Sequence, residues 1–282
     1  MKRYPVRLMP PAVVRIEPRR SLFSIGWKEI WAYRELLGFL VWRDVKVRYR
    51  QTFLGAAWAI LQPALSMVVL TFVFGRFAGV PSDGIPYALF SLAGLLPWLY
   101  LSSSVGRSGM SLVNGAHLVS KVYFPRLLLP AAAGAAPLVD LGVSLLFLGG
   151  MAAWHGVAPT PRLLLLPVVV LFAVLTSLSI GLWLSALNVR FRDVEYLLPF
   201  FVQIWMFLSP VAYPTSAVPV RFQPLFFLNP AATVIDSFRW VTVGGRPPSV
   251  EMLLCAVVVV GSMLTGGILY FHATEDTFAD VI

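Results

Sequence analysis

The sequence predicts an all-α integral membrane protein: a six-span helical bundle with an N-terminal amphipathic interface helix and short re-entrant outer helices before the last span. Three observations predict it. Hydrophobic residues fill 58% of the 282 positions and charged residues 12%, about half the charged share of a soluble domain. Charge-free windows of the length needed to cross a bilayer core, about 20 residues, recur at 51–75, 84–106, 127–161 (interrupted by Asp140 alone), 163–189, 196–220 and 252–274. Lys and Arg collect on one side of the topology those windows define. Six such stretches in succession leave too little polar surface for an exterior facing water, which excludes a soluble fold.

Orientation follows from the cations, because cytoplasmic loops hold the excess of positive charge. With both termini inside, 17 of the 22 Lys and Arg fall on the cytoplasmic side, twelve of them in residues 1–50. The opposite side receives Arg76, Arg162, Arg221, Arg239 and Arg246. The net charge of +9 therefore reflects topology and anionic headgroups. No basic stripe with interleaved aromatics lies outside the membrane-flanking segments, so nucleic acid is not an expected partner.

Residues 1–20, rich in Pro and Arg, read as an irregular cytoplasmic lead-in, after which Ser21 can cap a helix. Charges scattered through residues 1–50 and an apolar window too long for a signal-peptide core lead us to expect that the first span is retained. Within 36–50, Leu37, Val41, Val45 and Tyr49 form a stripe at i, i+4, with Arg43, Lys46 and Arg50 opposite. The pattern describes a helix lying in the interface plane, with Trp27, Trp31 and Trp42 as anchors; a solvated helix with a protein partner fits the same stripe. Arg48 falls on the apolar side, from which its stem can snorkel to the headgroups. The chain thus divides into a lead-in with interface helix, 1–50, and a six-span transmembrane domain, 51–282.

Pro63, Pro137 and Pro210 fall inside apolar windows, and each removes a backbone hydrogen bond, so bent helices in a packed bundle are expected. Segment 213–240 holds Pro214, Pro219, Pro224 and Pro230 around a short apolar run. It reads either as two short re-entrant or surface helices on the outer face or as an ordinary outer loop on headgroups. Asp140 is the one charge well inside a window, where an aspartate costs about 2.5–3.5 kcal/mol on insertion scales. It needs a serine or backbone contact in the bundle, or it is a polar point on a substrate or proton path.

Catalytic signatures are missing. The chain has four lysines, Lys2, Lys28, Lys46 and Lys121, and none follows a glycine, so there is no phosphate-cradling Gly-Lys-Ser/Thr loop. His117, His155 and His272 are scattered without metal-ligand spacing, and no metal is expected. Cys255 is the only cysteine, which excludes an internal disulfide or a thiolate cluster. No Gly-x-Ser-x-Gly occurs, and serines in spans such as Ser177 and Ser179 are more often packing residues than nucleophiles.

Four local motifs occur in order along the chain. The first is Trp42-Arg43-Asp44-Val45-Lys46-Val47-Arg48-Tyr49-Arg50-Gln51-Thr52-Phe53-Leu54-Gly55, running into Trp58 and Leu61-Gln62-Pro63. The second is Leu118-Val119-Ser120-Lys121-Val122-Tyr123-Phe124-Pro125-Arg126, followed by Leu138-Val139-Asp140. The third is Asn188-Val189-Arg190-Phe191-Arg192-Asp193-Val194, and the fourth is Ser209-Pro210-Val211-Ala212-Tyr213-Pro214 with Asn229-Pro230. Together, over nearly the whole chain, they resemble the permease subunits of bacterial polysaccharide-exporting ABC transporters, which export O-antigen, capsule and teichoic-acid polymers.

The resemblance implies a homodimer in the inner membrane that works with two copies of a cytoplasmic ABC ATPase and translocates a lipid-linked polysaccharide. This chain would bind no cofactor itself, with ATP and Mg in the partner subunit. A short helix between the second and third spans, near 112–122, would dock on the ATPase, so Leu112, Asn114, His117, Lys121 and Tyr123 are the coupling candidates. Trp42, Arg43, Lys46 and Arg50 mark the interface helix that could admit the lipid-linked end, and 213–240 becomes a gate over the exit. A sugar polymer passes more freely over aromatic faces than over fixed charges. The channel candidates are accordingly Trp58, Phe201, Trp205 and Tyr213, with Phe201 and Trp205 on one helix face at i, i+4; the same aromatics could face lipid or fill a dimer core. An exporter of the same fold carrying a lipid, drug or other small molecule, a membrane-embedded transferase acting on lipid-linked sugar, and a passive channel are the competing readings.

Overall fold

The computed structural model describes residues 31–50, 55–275 and 278. The lead-in 1–20, the Ser21 cap, the Trp27 anchor and motif residues 51–54 lie outside the described residues. All regular structure among the described residues is helical, and five helical runs are long and apolar enough to cross a membrane: Trp58–Phe77, Tyr87–Asn114, Leu128–Trp154, Pro161–Arg190 and Val250–Thr274.

Helix α1, Arg34–Arg50, carries the expected stripe. Leu36, Leu37, Leu40 and Val41 pack into a cluster with Leu112, Phe124, Leu128 and Leu129, while Lys46 and Arg50 are exposed. The outer face is not purely polar, because Phe39, Trp42 and Val47 are also exposed on it, and Trp31 is exposed just before the helix. Arg48 departs from expectation. Its guanidinium does not leave the bundle but forms an ion pair with Asp140.

Helix α2, Trp58–Leu70, runs on through a π-helical turn, Thr71–Phe77. Ala59, Pro63, Met67 and Leu70 are its buried stripe, at the spacing that keeps one helix face inward. Leu65, Val68, Val69 and Phe72 face away from the chain. A turn with left-handed Asp83 (φ 51°) and Gly84 (φ 82°) leads to α3, Tyr87–Asn114, the axis of the molecule. Its most apolar window is 78% buried, against 22% for the first and last spans.

Small residues let the other helices approach α3. A Cβ on Gly134 would lie 2.6 Å from Ser108 Oγ, and one on Gly181 2.5 Å from Ser108 Cβ. Ser104 donates to Gly134 O at 2.8 Å and Ser108 to Pro130 O at 2.8 Å. Within lipid, where apolar burial adds little between helices, this close packing with hydroxyl bonds is the main adhesive.

After Gly115 comes the short α4, Ala116–Lys121. The third window folds as α5, Leu128–Ala135, and α6, Leu138–Trp154, broken at Pro137 as its missing N–H dictates. A 3-10 turn, Pro161–Leu165, precedes α7, Leu166–Arg190, which packs along α3 and against the last helix, α11, Val250–Thr274. There the Trp183 indole stacks on Tyr270 at 5.1 Å and donates to Met263 O at 2.9 Å, lying over Gly266 and Gly267.

The window at 196–220 does not become a span of full length by itself. It forms α8, Val194–Phe207, of 14 residues, or about 21 Å at 1.5 Å per residue, short of a core of about 30 Å. Pro210, expected inside a span, lies in the turn after α8. Beyond it, segment 213–240 holds two short helices, α9, Gln223–Phe227, and most of α10, Pro230–Thr242. α10 is no surface helix, since Ala231, Ala232, Val234, Ile235 and Phe238 are buried. Asn229 caps it by accepting from Ala231 N at 3.1 Å, with Pro230 at its first turn.

Candidate functional site

Three places gather functional chemistry. The first is the end of α3 and the α4 loop. Val119 and Phe124 are buried and pin α4, while Asn114, His117, Lys121 and Tyr123 are exposed, with Lys121 Nζ 3.3 Å from His117 Nε2. Leu112 does not share this surface. It is fully buried and belongs to the cluster that anchors α1.

The second is a cavity of about 360 Å³ lined by α1, α2, α3, α6 and α8, within the 300–1,000 Å³ range of small-molecule sites. Arg48, Gln62, Tyr100, Ser102, Ser103 and Asp140 supply its polar lining. Asp140 accepts from the Tyr49 hydroxyl and pairs with Arg48. It therefore ties α1 to the third window, a partner neither serine nor backbone. Ser144 Oγ bonds Ala59 O at 2.6 Å and holds α6 to α2 beside the cavity. Two other α1 residues named in the sequence analysis take no part in this wall: Trp42 is 64% exposed, and Arg43 pairs with its neighbour Asp44 at 2.9 Å.

The aromatic candidates do not form one lining. Phe201 is exposed on α8 and stacks at 5.9 Å on Trp205. Trp205 is itself buried, fixed edge-on to Trp98 at 5.3 Å and by donating to Asn229 Oδ1 at 2.9 Å. Tyr213 donates to Phe207 O at 2.9 Å. Trp58 is half-exposed on α2, next to Ala59 of the second cavity.

The third place was missed by sequence reasoning. Arg239 of α10 is buried. It donates to Asp236 Oδ1 at 3.1 Å, Pro210 O at 2.8 Å and Val211 O at 3.3 Å, and it lies 3.8 Å over the Phe90 ring. Thr215 donates to Asp236. A Cβ on Gly94 would sit 2.5 Å from Arg239 Nη2, so that glycine makes the room. A cavity of about 260 Å³ adjoins, with Asp83, Ser216, Gln223, Trp240 and Arg246 among its walls. The available signal was an Asp and an Arg three apart in an otherwise apolar helix. Among the described residues no group of three His, Cys, Asp or Glu could hold a metal.

Comparison with known proteins covers all three places. Residues 35–243 match the family described as ABC-2 type transporter. The chain is 33% identical over 260 residues to an O-antigen export system permease protein RfbA of Myxococcus xanthus, covering 90% of this chain and 98% of that protein. A Klebsiella pneumoniae protein of the same description is 28% identical over 254 residues, 88% of this chain and 95% of that one. The polysialic acid transport protein KpsM of Escherichia coli is 25% identical over 206 residues, 72% of this chain and 79% of its own length.

Proposed function

We propose, from the premise that the chain belongs to the ABC-2 type transporter membrane family, that it is the membrane-spanning subunit of an ATP-driven exporter of a lipid-linked polysaccharide. The observation that carries this reading is the 33% identity to an O-antigen export permease over 90% of this chain and 98% of that one. The five apolar runs of the bundle agree with it.

On this reading two copies form the permease and two cytoplasmic ATPase subunits, holding ATP and Mg, drive it from the bacterial inner membrane. Both termini are cytoplasmic. A sixth crossing is completed by α8 together with the Ser209–Pro210 turn and the deep-set α10, and the outward apolar faces of α2 and α8 meet the second copy or lipid. The ATPase docks on α4 through His117, Lys121 and Tyr123, and its ATP-driven closure shifts the bundle between two states. Segment 213–240 covers the exit. Phe201, stacked with a tilt on Trp205, is a face over which sugar rings slide.

The test is co-expression with a candidate ATPase subunit, purification through a tag on this chain alone, and vanadate-sensitive ATP hydrolysis in nanodiscs with and without lipid-linked glycan. Co-purification with hydrolysis that responds to glycan is the expected result. A stable permease that retains no ATPase across several lipid compositions sinks the proposal.

A further inference from the structure

At the end of α3 opposite α4, the cavity of about 260 Å³ beside Arg239 has polar walls that the Arg239 bonds leave unused. Asp83 from the turn before α3, Ser216, Gln223 of α9 and Arg246 from the loop before α11 meet there. Ser216 Oγ donates to Asp83 Oδ1 at 2.9 Å, and Arg246 Nε lies 3.9 Å from the same oxygen. Among the described residues, Oδ2 of Asp83 is thus left to accept. The Gln223 side-chain amide makes no hydrogen bond among the described residues, and Arg246 is 75% exposed with only a long contact to Asp83. Left-handed Gly244 and Gly245 (φ 90° and 97°) turn the chain into this wall, and Pro247 and Pro248 stiffen the backbone just after Arg246. The charges lining the cavity balance, Asp83 and Asp236 against Arg239 and Arg246, so no surplus is left for an ion.

We propose that this cavity binds one ring of a neutral sugar. A carboxylate only accepts and a guanidinium only donates. Asp83 and Arg246 side by side therefore match two adjacent hydroxyls, each of which can do both, and the Gln223 amide adds a donor and an acceptor. Trp240, Phe227 and Pro214 supply the apolar wall on which the C–H face of a ring can pack, as aromatic surfaces allow. The volume lies just below the roughly 300 Å³ at which small-molecule pockets begin, which suits a single ring and not a longer chain held whole. None of the channel candidates Trp58, Phe201, Trp205 and Tyr213 lines this cavity, so it is a subsite separate from the sliding face. The inference deepens the exporter reading by giving the cargo a resting point at the outer end, and it rests on that reading only for the source of the sugar.

The experiment is saturation-transfer NMR on the purified full-length chain in phosphatidylcholine nanodiscs without nucleotide, with methyl mannoside, methyl galactoside and methyl N-acetylglucosaminide as probes. At least one probe should take up saturation from the protein. Asp83→Asn suits the left-handed backbone there (φ 51°) and should weaken the apparent affinity about tenfold, the worth of a charge-assisted hydrogen bond. Gln223→Ala should weaken it several-fold. Trp154→Ala removes an 86% exposed indole that does not line the cavity and should leave it unchanged. Tighter binding of a linear tetrasaccharide of the same sugar supports the site and assigns it to a passing polymer. Equal binding of the single glycoside supports the site and assigns it to a chain end or a free sugar. Absence of transfer to every probe overturns the proposal, as does transfer that Asp83→Asn and Gln223→Ala both leave at wild-type strength. No ATPase is needed, so the two failures separate: a chain that retains a glycan-responsive ATPase but takes up no glycoside sinks this inference alone, and one that binds glycoside without retaining an ATPase sinks the exporter reading alone.

Discussion

The two Arg–Asp pairs inside the bundle are built for different lives. Arg239 and Asp236 sit three residues apart on one helix, with side chains 6% and 14% exposed. Two backbone carbonyls beyond α8 and the Phe90 ring saturate the rest of the guanidinium. Arg48 and Asp140 come from separate elements and are 33% and 18% exposed, and the carboxylate has a second donor 91 residues from it in sequence. Charge buried with every bond made has nowhere else to go, whereas a pair at a cavity rim can exchange partners with water or a ligand. The first pair clamps the 210–242 region to the start of α3, and the second is a contact that can open.

The largest expected effect is at the clamp. Arg239→Met leaves Asp236 charged and enclosed, which costs about 3–5 kcal/mol. It should lower the unfolding temperature sharply in detergent and in nanodiscs, while the double change with Asp236→Leu recovers much of the loss. If the single variant melts with the wild type, the pair is not a clamp and the comparison collapses.

Gly94 sharpens the same point through geometry. A methyl there would lie 2.5 Å from Arg239 Nη2 and 2.9 Å from Val211 O, so Gly94→Ala should cost about 1–3 kcal/mol by overpacking. Gly142, on α6 with nothing within 4 Å of its Cβ, gives the reference: Gly142→Ala should leave stability level or slightly raised, as alanine favours helix by about 1 kcal/mol. Equal losses at both would remove the special role of the clamp.

At the cavity rim the penalty should be smaller. Arg48→Gln leaves Asp140 with the Tyr49 hydroxyl and access to water, so a loss of about 1 kcal/mol is expected, readable as a thermal shift well below that of Arg239→Met. A loss as large as the clamp's would make the rim pair structural after all.

The same contrast explains what could be read in advance. Apolar windows fix helices by composition alone, so all five long runs, the break at Pro137 and the apolar stripe of α1 were legible from residue order, but not that this stripe packs on the bundle. The window at 196–220 misled because charge spacing counts residues but does not see that a helix stops: α8 ends at Phe207 and Ser209–Pro210 turns the chain. Arg48 misled because helical period fixed its face but not its partner, which lies on another element. Asp236 and Arg239 were visible as letters, yet their burial depends on Gly94 and on carbonyls brought in by the Pro210 turn, none of which has a local signature. Aromatic spacing placed Phe201 and Trp205 on one face correctly, but only packing distinguishes the exposed ring from the one beneath it.

The smallest stability effect is expected where exposure is greatest, and there function should move instead. His117 and Lys121 are exposed on α4 and lie within hydrogen-bond distance of each other, while Val119 and Phe124 are buried and hold the loop. Replacing both with alanine should change stability by no more than about 0.5 kcal/mol. On the proposed docking at α4, the ATPase subunit should then co-purify less or hydrolyse without responding to glycan, because that surface would have lost its polar contacts while the helix stays in place. Unchanged co-purification and unchanged response to glycan would move the docking surface away from α4, and a large thermal shift would show that these exposed residues belong with the clamp and not with the contacts that open.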